Sequence, residues 1–202
     1  KTSDGGYILA GTARISSISR GWVVKTDKYG NTCAINLNGN CDGIGAEGVK
    51  VFSRTFSRGI INNFYKIIET SDGGFVISGV ITTPSFSGKA WALKITNFGR
   101  FCDDSLGDCS SVLDGISVFS RTFEDASFSD AVQTNDGMYV FVGRNSFVVG
   151  PQIWVVKTDA NGVTCNYGAS VDCFNSSSGV YVRKFAGTYS ANSVDKTLDG
   201  GV

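Results

Sequence analysis

Lys1-Thr2-Ser3-Asp4-Gly5-Gly6-Tyr7 opens the chain, and Lys196-Thr197-Leu198-Asp199-Gly200-Gly201-Val202 closes it in the same phase. Between them stand Thr70-Ser71-Asp72-Gly73-Gly74-Phe75 and Thr134-Asn135-Asp136-Gly137-Met138-Tyr139. Asp-Gly between apolar runs is a strong short-range hairpin signal, because glycine tolerates the positive φ that such turns need. Its return at Asp4, Asp72, Asp136 and Asp199, spaced 68, 64 and 63 residues apart, marks a tandem repeat. A repeat of this size is a supersecondary unit that must stack on its neighbours to bury its faces. The units run over residues 1–69, 70–133 and 134–197, with a fourth beginning at 198–202. The matched ends lead us to expect a segment of a longer repeat protein.

The repeat extends well beyond the turn. Trp22, Trp91 and Trp154 share one position, and Lys25, Lys94 and Lys157 follow at one distance. Eleven residues after each Trp comes a cysteine, Cys33, Cys102 or Cys165, and then a second, Cys41, Cys109 or Cys173. Farther on, Phe52-Ser53-Arg54-Thr55-Phe56, Phe119-Ser120-Arg121-Thr122-Phe123 and Tyr181-Val182-Arg183-Lys184-Phe185 place an arginine between two aromatics at period-two spacing. On a strand those three side chains share a face.

Each unit reads as four strands. Phe64–Ile68 and Ser129–Gln133 exemplify the first; Tyr7–Gly11, Phe75–Gly79 and Tyr139–Gly143 follow the turn. Gly21–Thr26, Ala90–Thr96 and Ile153–Thr158 are third, and Val49–Phe56, Ile116–Phe123 and Val180–Phe185 fourth. The middle strands carry apolar residues on both faces, as in Tyr7-Ile8-Leu9-Ala10 and Trp22-Val23-Val24, which predicts sheets covered on both sides. A β-sandwich leaves the 65-residue period unexplained, and a β-helix needs a shorter one. The expected fold is all-β: a β-propeller of four-stranded antiparallel blades, about three in this chain.

Composition agrees. The chain has 26 Gly, 14 Phe, one Met and no His, a mixture of turn and strand formers with little for helices. Six cysteines in three close pairs predict local disulfides, Cys33 with Cys41, Cys102 with Cys109 and Cys165 with Cys173, in an oxidising extracellular or cell-surface setting. Structural zinc, the rival use, favours shorter spacings and often recruits His. Each disulfide closes a small loop and contributes on the order of 2–3 kcal/mol. Balanced charge, 18 basic against 18 acidic residues, argues against nucleic acid as a partner. No apolar run approaches the roughly 20 residues of a membrane span.

The pattern Thr-x-Asp-Gly-Gly-Tyr, then Trp-Val-Val-Lys-Thr-Asp-x-x-Gly, then an Arg-x-Phe strand resembles the tandem β-propeller repeats of large secreted and surface proteins of bacteria and archaea. Asp4, Gly5, Gly6, Trp22, Lys25, Asp27 and Gly30 carry it in the first copy; Trp154, Lys157, Asp159 and Gly162 carry it in the third. The second copy departs at Asn97, where the others have Asp. The resemblance covers essentially the whole chain and implies four-stranded blades, an extracellular address and a non-catalytic role. Closed propellers have four to eight blades, so three predict either a longer chain or completion by further copies.

The chemistry is weighed against blander roles. Absence of His excludes His-based acyl-transfer triads, and a cysteine nucleophile needs an unpaired thiol. Among carboxylates, Glu47, Glu69 and Glu124 are the glutamates available to a glycosidase. The repeated aspartates serve turns, and a catalytic residue should be singular. Asp27 and Asp159 suggest a calcium loop but lack further oxygen ligands at the right spacing. Asp103, Asp104 and Asp108 form an unrepeated acidic cluster, read as a solvated loop with a weak cation site as the alternative. The tryptophans are read as core, with a sugar platform as the alternative. Arg54, Arg121 and Arg183 guard an outer strand. Asn175-Ser176-Ser177 is a glycosylation-type triplet of little specificity. No catalytic, metal or cofactor residue is assigned. The expected role is structural: repeats assembling with copies of themselves or adjacent repeats into a surface array or filament. The alternatives are a glycan-binding module or adhesin and, behind it, a secreted lyase or glycoside hydrolase.

Overall fold

The computed structural model describes residues 1–85, 87–105, 107–123, 126–145, 152–166, 172–185 and 189–197, and these form three separate antiparallel sheets. The first contains β1 (Tyr7–Ile15), β2 (Ile18–Thr26), β3 (Cys41–Ile44) and β4 (Lys50–Phe56), in the order β1-β2-β4-β3. In the second, β5 (Ile61–Glu69), β6 (Phe75–Thr82), β7 (Gly88–Ile95), β8 (Cys109–Leu113) and β9 (Ile116–Phe123) run β5-β6-β7-β9-β8. The third repeats that order with β10 (Ala126–Gln133), β11 (Tyr139–Asn145), β12 (Gln152–Thr158), β13 (Cys173–Asn175) and β14 (Val180–Phe185), as β10-β11-β12-β14-β13.

The Asp-Gly turns work as the sequence predicts. Gly73 adopts φ +79° and donates its N–H to the Thr70 carbonyl at 2.9 Å. Asp72 Oδ1 accepts both the Thr70 hydroxyl and the Gly74 N–H. This Asx geometry closes the β5–β6 hairpin and is matched at Thr2-Asp4 and Thr134-Asp136.

The middle strands of the second sheet are covered on both faces by neighbouring sheets, as their apolar pattern requires. Val23, Phe52 and Phe56 of the first sheet form one core with Phe64, Phe75, Ile77, Trp91, Leu93 and Ile95 of the second. The opposite side of the second sheet contributes Val76, Ala90, Ala92, Phe119 and Phe123 to a core completed by Phe128, Tyr139, Phe141, Trp154 and Val156 of the third. Each sheet therefore has a front face, which bears its tryptophan, and a back face, which in the first and second sheets meets the front of the next.

The propeller expectation is overturned. The three sheets are separate and open, and the principal packing joins the first to the second and the second to the third without closing a circuit. The physical reason is that strands apolar on both faces specify face-to-face packing, which an open series satisfies as well as a ring. Four strands per unit is also corrected: a short strand beginning at the second cysteine, β3, β8 or β13, makes the complete sheets five-stranded.

Candidate association surfaces

The repeated turn residues build a repeated ionic device. Lys25 donates to Asp4 at 2.5 Å and to the Lys50 carbonyl at 3.0 Å. Lys94 pairs with Asp72, and Lys157 with Asp136 at 2.8 Å. Burial alone would raise the aspartate pKa values, but hydrogen bonds from the lysine, the threonine and a backbone N–H outweigh it. Asp4 and Asp72 are therefore held below the ordinary carboxylate range, and Asp136 falls to about 2. Each lysine leaves its sheet on the back face; Lys94 lies 5.4 Å from the centroid of the Tyr139 ring on the next front face.

The interface between successive sheets is the same interface built twice. Phe64 sits between Phe56 and Trp91, with ring centroids 5.6 and 5.1 Å away. Phe128 sits correspondingly between Phe123 at 5.2 Å and Trp154 at 5.6 Å. Gly99 packs on Phe52 and Arg54, where a Cβ would come within 2.8 Å, and Gly162 packs on Phe119 and Arg121 in the same manner. Their positive φ values, +72° and +74°, make glycine the fitting residue twice over. At the turns, the Ser3 N–H and hydroxyl donate to Glu69, the Ser71 N–H to Gln133, and Lys196 to Asn135. The first two sets of bonds join one sheet to the next, and the last joins the turn of the third sheet to the segment at 189–197.

Half of the same interface lies uncovered at either end. On the front of the first sheet, Tyr7 is 45% and Leu9 54% exposed, whereas their equivalents Phe75, Ile77, Tyr139 and Phe141 are buried. Trp22 is half-buried, which corrects the expectation that all three tryptophans are core; Trp91 and Trp154 are buried. Among the described residues no sheet covers Trp22 as the first sheet covers Trp91 and the second covers Trp154. On the back of the third sheet, Phe185 is 55% exposed, while Phe56 and Phe123 are buried. Val142, Val155, Phe174, Tyr181, Arg183, Phe185 and Val194 line an apolar cavity of about 430 Å³ there. The turn at Gly30, equivalent to those at Gly99 and Gly162, has nothing within reach of a Cβ.

The other nominated residues are held by local partners. All three disulfides form in the expected pairing: Cys33–Cys41, Cys102–Cys109 and Cys165–Cys173. Asp27 accepts N–H groups from Tyr29, Asn31 and Ala46, and Asp159 those of Asn161 and Val163, so both serve turns. In the second unit the equivalent position is Thr96 rather than Asn97, and its hydroxyl accepts the corresponding N–H groups of Phe98 and Arg100. The acidic cluster is dispersed among partners. Arg58 donates to Asp108 at 2.8 Å and lies 3.9 Å from Asp104; Asp104 also accepts the Ser120 hydroxyl, and Asp103 the Ser105 N–H. Among the described residues no group of three His, Cys, Asp or Glu side chains is arranged to hold a metal ion. Glu47 pairs with Lys28 and Glu69 accepts from Ser3, while Glu124 and Asp199 lie outside the described residues. Asn175 Oδ1 accepts the N–H of Ser177 within its turn. Arg54 donates to Asp42 and to the Cys41 carbonyl, clasping the edge strand β3. No helix among the described residues is long and apolar enough to cross a membrane. No protein-family model matches the chain, and no curated protein matches it either.

Proposed function

We propose that this is a structural protein of the cell exterior whose copies associate head to tail into a surface array or filament, without catalytic activity. The observation that carries the reading is the pair of uncovered faces. The front of the first sheet and the back of the third are the two halves of an interface buried twice within the chain. Such head-to-tail contacts are heterologous, so they close as rings or run on as fibres. Three disulfides fit an oxidising, secreted setting and would make each unit durable. The resemblance to surface-protein repeats supports the same address.

The test is sedimentation velocity and negative-stain electron microscopy of the oxidised chain over a range of concentrations. The expected result is growth past the dimer, abolished by Leu9→Lys or Phe185→Lys. A chain that remains monomeric when concentrated refutes the reading. A second reading, glycan binding, is favoured by one observation, the aromatic cavity at Phe174, Tyr181 and Phe185. It predicts that a soluble glycan perturbs tyrosine fluorescence in a monomeric chain.

A further inference from the structure

The first sheet differs from the other two in more than its open face. It has four strands, and the one missing is the counterpart of β5 and β10, the strand hydrogen-bonded to β6 or β11 along its outer edge. Among the described residues, the outer edge of β1 has no strand partner. β1 is nine residues long and carries Tyr7, Leu9 and Ile15 along it, a bare apolar edge that proteins seldom leave open.

The missing strand has a counterpart elsewhere in the molecule. Residues 189–197 are assigned to no strand, yet they lie against the third sheet where β5 lies against the first and β10 against the second. Lys196 reaches Asn135 at 3.4 Å, the contact that Gln133 makes with Ser71 and Glu69 with Ser3. Asp130 Oδ2 accepts the Ser193 hydroxyl at 2.9 Å and the Val194 N–H at 3.1 Å, and the other oxygen of Asp130 pairs with Lys66 at 2.8 Å. Lys66, Asp130 and Ser193 therefore stand in one file across β5, β10 and this segment. The Ala191 N–H donates to the Gly143 carbonyl at 3.3 Å. The segment is in place as the first strand of a next sheet that the described residues do not supply.

We infer that residues 189–196 of one copy add to the β1 edge of a second copy, completing its first sheet to five strands. The inference rests on the head-to-tail reading and specifies its chemistry: main-chain pairing by strand addition, with the two uncovered faces closing at the same junction. Two internal templates give the register. Ala131 pairs with Phe141 and Ile67 with Ile77, which places Val194 opposite Leu9. Ser193 then faces Ala10 and Lys196 faces Tyr7, following Asp130 with Val142 and Gln133 with Tyr139. The occupant is a second copy because the segment lies against the third sheet and the edge it fits belongs to the first, at opposite ends of an open series of sheets, while the internal templates give that segment the register of this edge.

The test is a disulfide trap in the oxidised chain, whose native cysteines are all paired, so that the introduced thiols are the only free ones, with peptide mapping to show that the native links are unchanged. Leu9→Cys and Val194→Cys are combined in one chain; Leu9 is exposed and Val194 half-buried, so folding is spared. The expected result is a reductant-sensitive ladder extending past the dimer. The control combines Ile8→Cys with Val194→Cys and should give no ladder, because a one-residue slip puts the thiols on opposite faces. Assembly by sedimentation with no cross-link, or with equal cross-linking in the control, overturns strand addition and leaves the head-to-tail reading standing. A chain that neither assembles nor cross-links overturns both, and assigns the β1 edge to another occupant.

Discussion

Truncating Trp91 and Trp22 to alanine separates core from interface, because the two residues hold one position in different surroundings. Trp91 is 1% exposed, packs on Phe64 at 5.1 Å and donates Nε1–H to Ser120 Oγ at 2.9 Å. Removing it deletes a large apolar surface, opens a cavity between two sheets and strips a donor from a buried hydroxyl. The first two effects cost about 3–5 kcal/mol. At about 2–4 °C per kcal/mol for a chain of this size, Tm should fall by roughly 6–20 °C. Trp22 also donates to a serine, Ser53 at 2.8 Å, but it is only partly buried. Its truncation should cost the isolated chain about 1–2 kcal/mol, with the greater loss in association. Urea unfolding followed by circular dichroism, run below the association threshold, measures the first quantity, and sedimentation measures the second. Equal stability losses for the two variants, or a Trp91→Ala loss below about 1 kcal/mol, would refute the assignment of Trp91 to a core and Trp22 to an interface.

Other outcomes follow from the same geometry. Replacing Cys102 and Cys109 together by serine should lower stability by about 2–3 kcal/mol while leaving the β-sheet circular dichroism intact, and peptide mapping should recover the other two links unchanged. The folded-state pKa values of Asp4, Asp72 and Asp136 are depressed, so their stabilisation is fully present above the unfolded carboxylate range and is lost as pH falls through the folded values. The urea midpoint should therefore be flat above about pH 5 and fall between about pH 4 and pH 2, with Asp136→Asn shallower than the parent. A midpoint that falls steeply near pH 6.5 would contradict this, since the chain contains no histidine.

Much of the fold was legible because its signals are local. Asp-Gly turns declare hairpins, the Trp-x-x-Lys strand declares itself by its short run of apolar residues, and paired cysteines eight or seven residues apart leave little choice of partner. The short strands β3, β8 and β13 escaped notice because three to five residues give too little alternation to read. Ring closure differs from these signals in kind. Periodicity reports that a unit stacks on its like, whereas closure depends on the angle between units and on their number, and neither leaves a mark on any one strand.

The association surfaces were also half legible, and the missing half explains the error over Trp22. A repeat analysis treats equivalent residues as equivalent, so it assigns Trp22, Trp91 and Trp154 one environment. Burial in a stack depends on whether a neighbour is present. The same strand pattern yields a buried Phe75 and a half-exposed Tyr7, or a buried Phe56 and an exposed Phe185. Substitutions at the ends follow the same division. Tyrosines replace phenylalanines at Tyr7 and Tyr181, as at many protein interfaces, where an apolar body and a polar rim suit a surface that is sometimes wet. The buried Tyr139 shows that tyrosine alone does not mark an end, because there the aromatic face lies close to the Lys94 ammonium. What marks an end is the coincidence of three things: an apolar face without its sheet, an edge without its strand, and a segment seated as the first strand of a sheet that the described residues do not supply. On the proposed head-to-tail reading, one contact with a second copy would cover both faces and pair the edge at once.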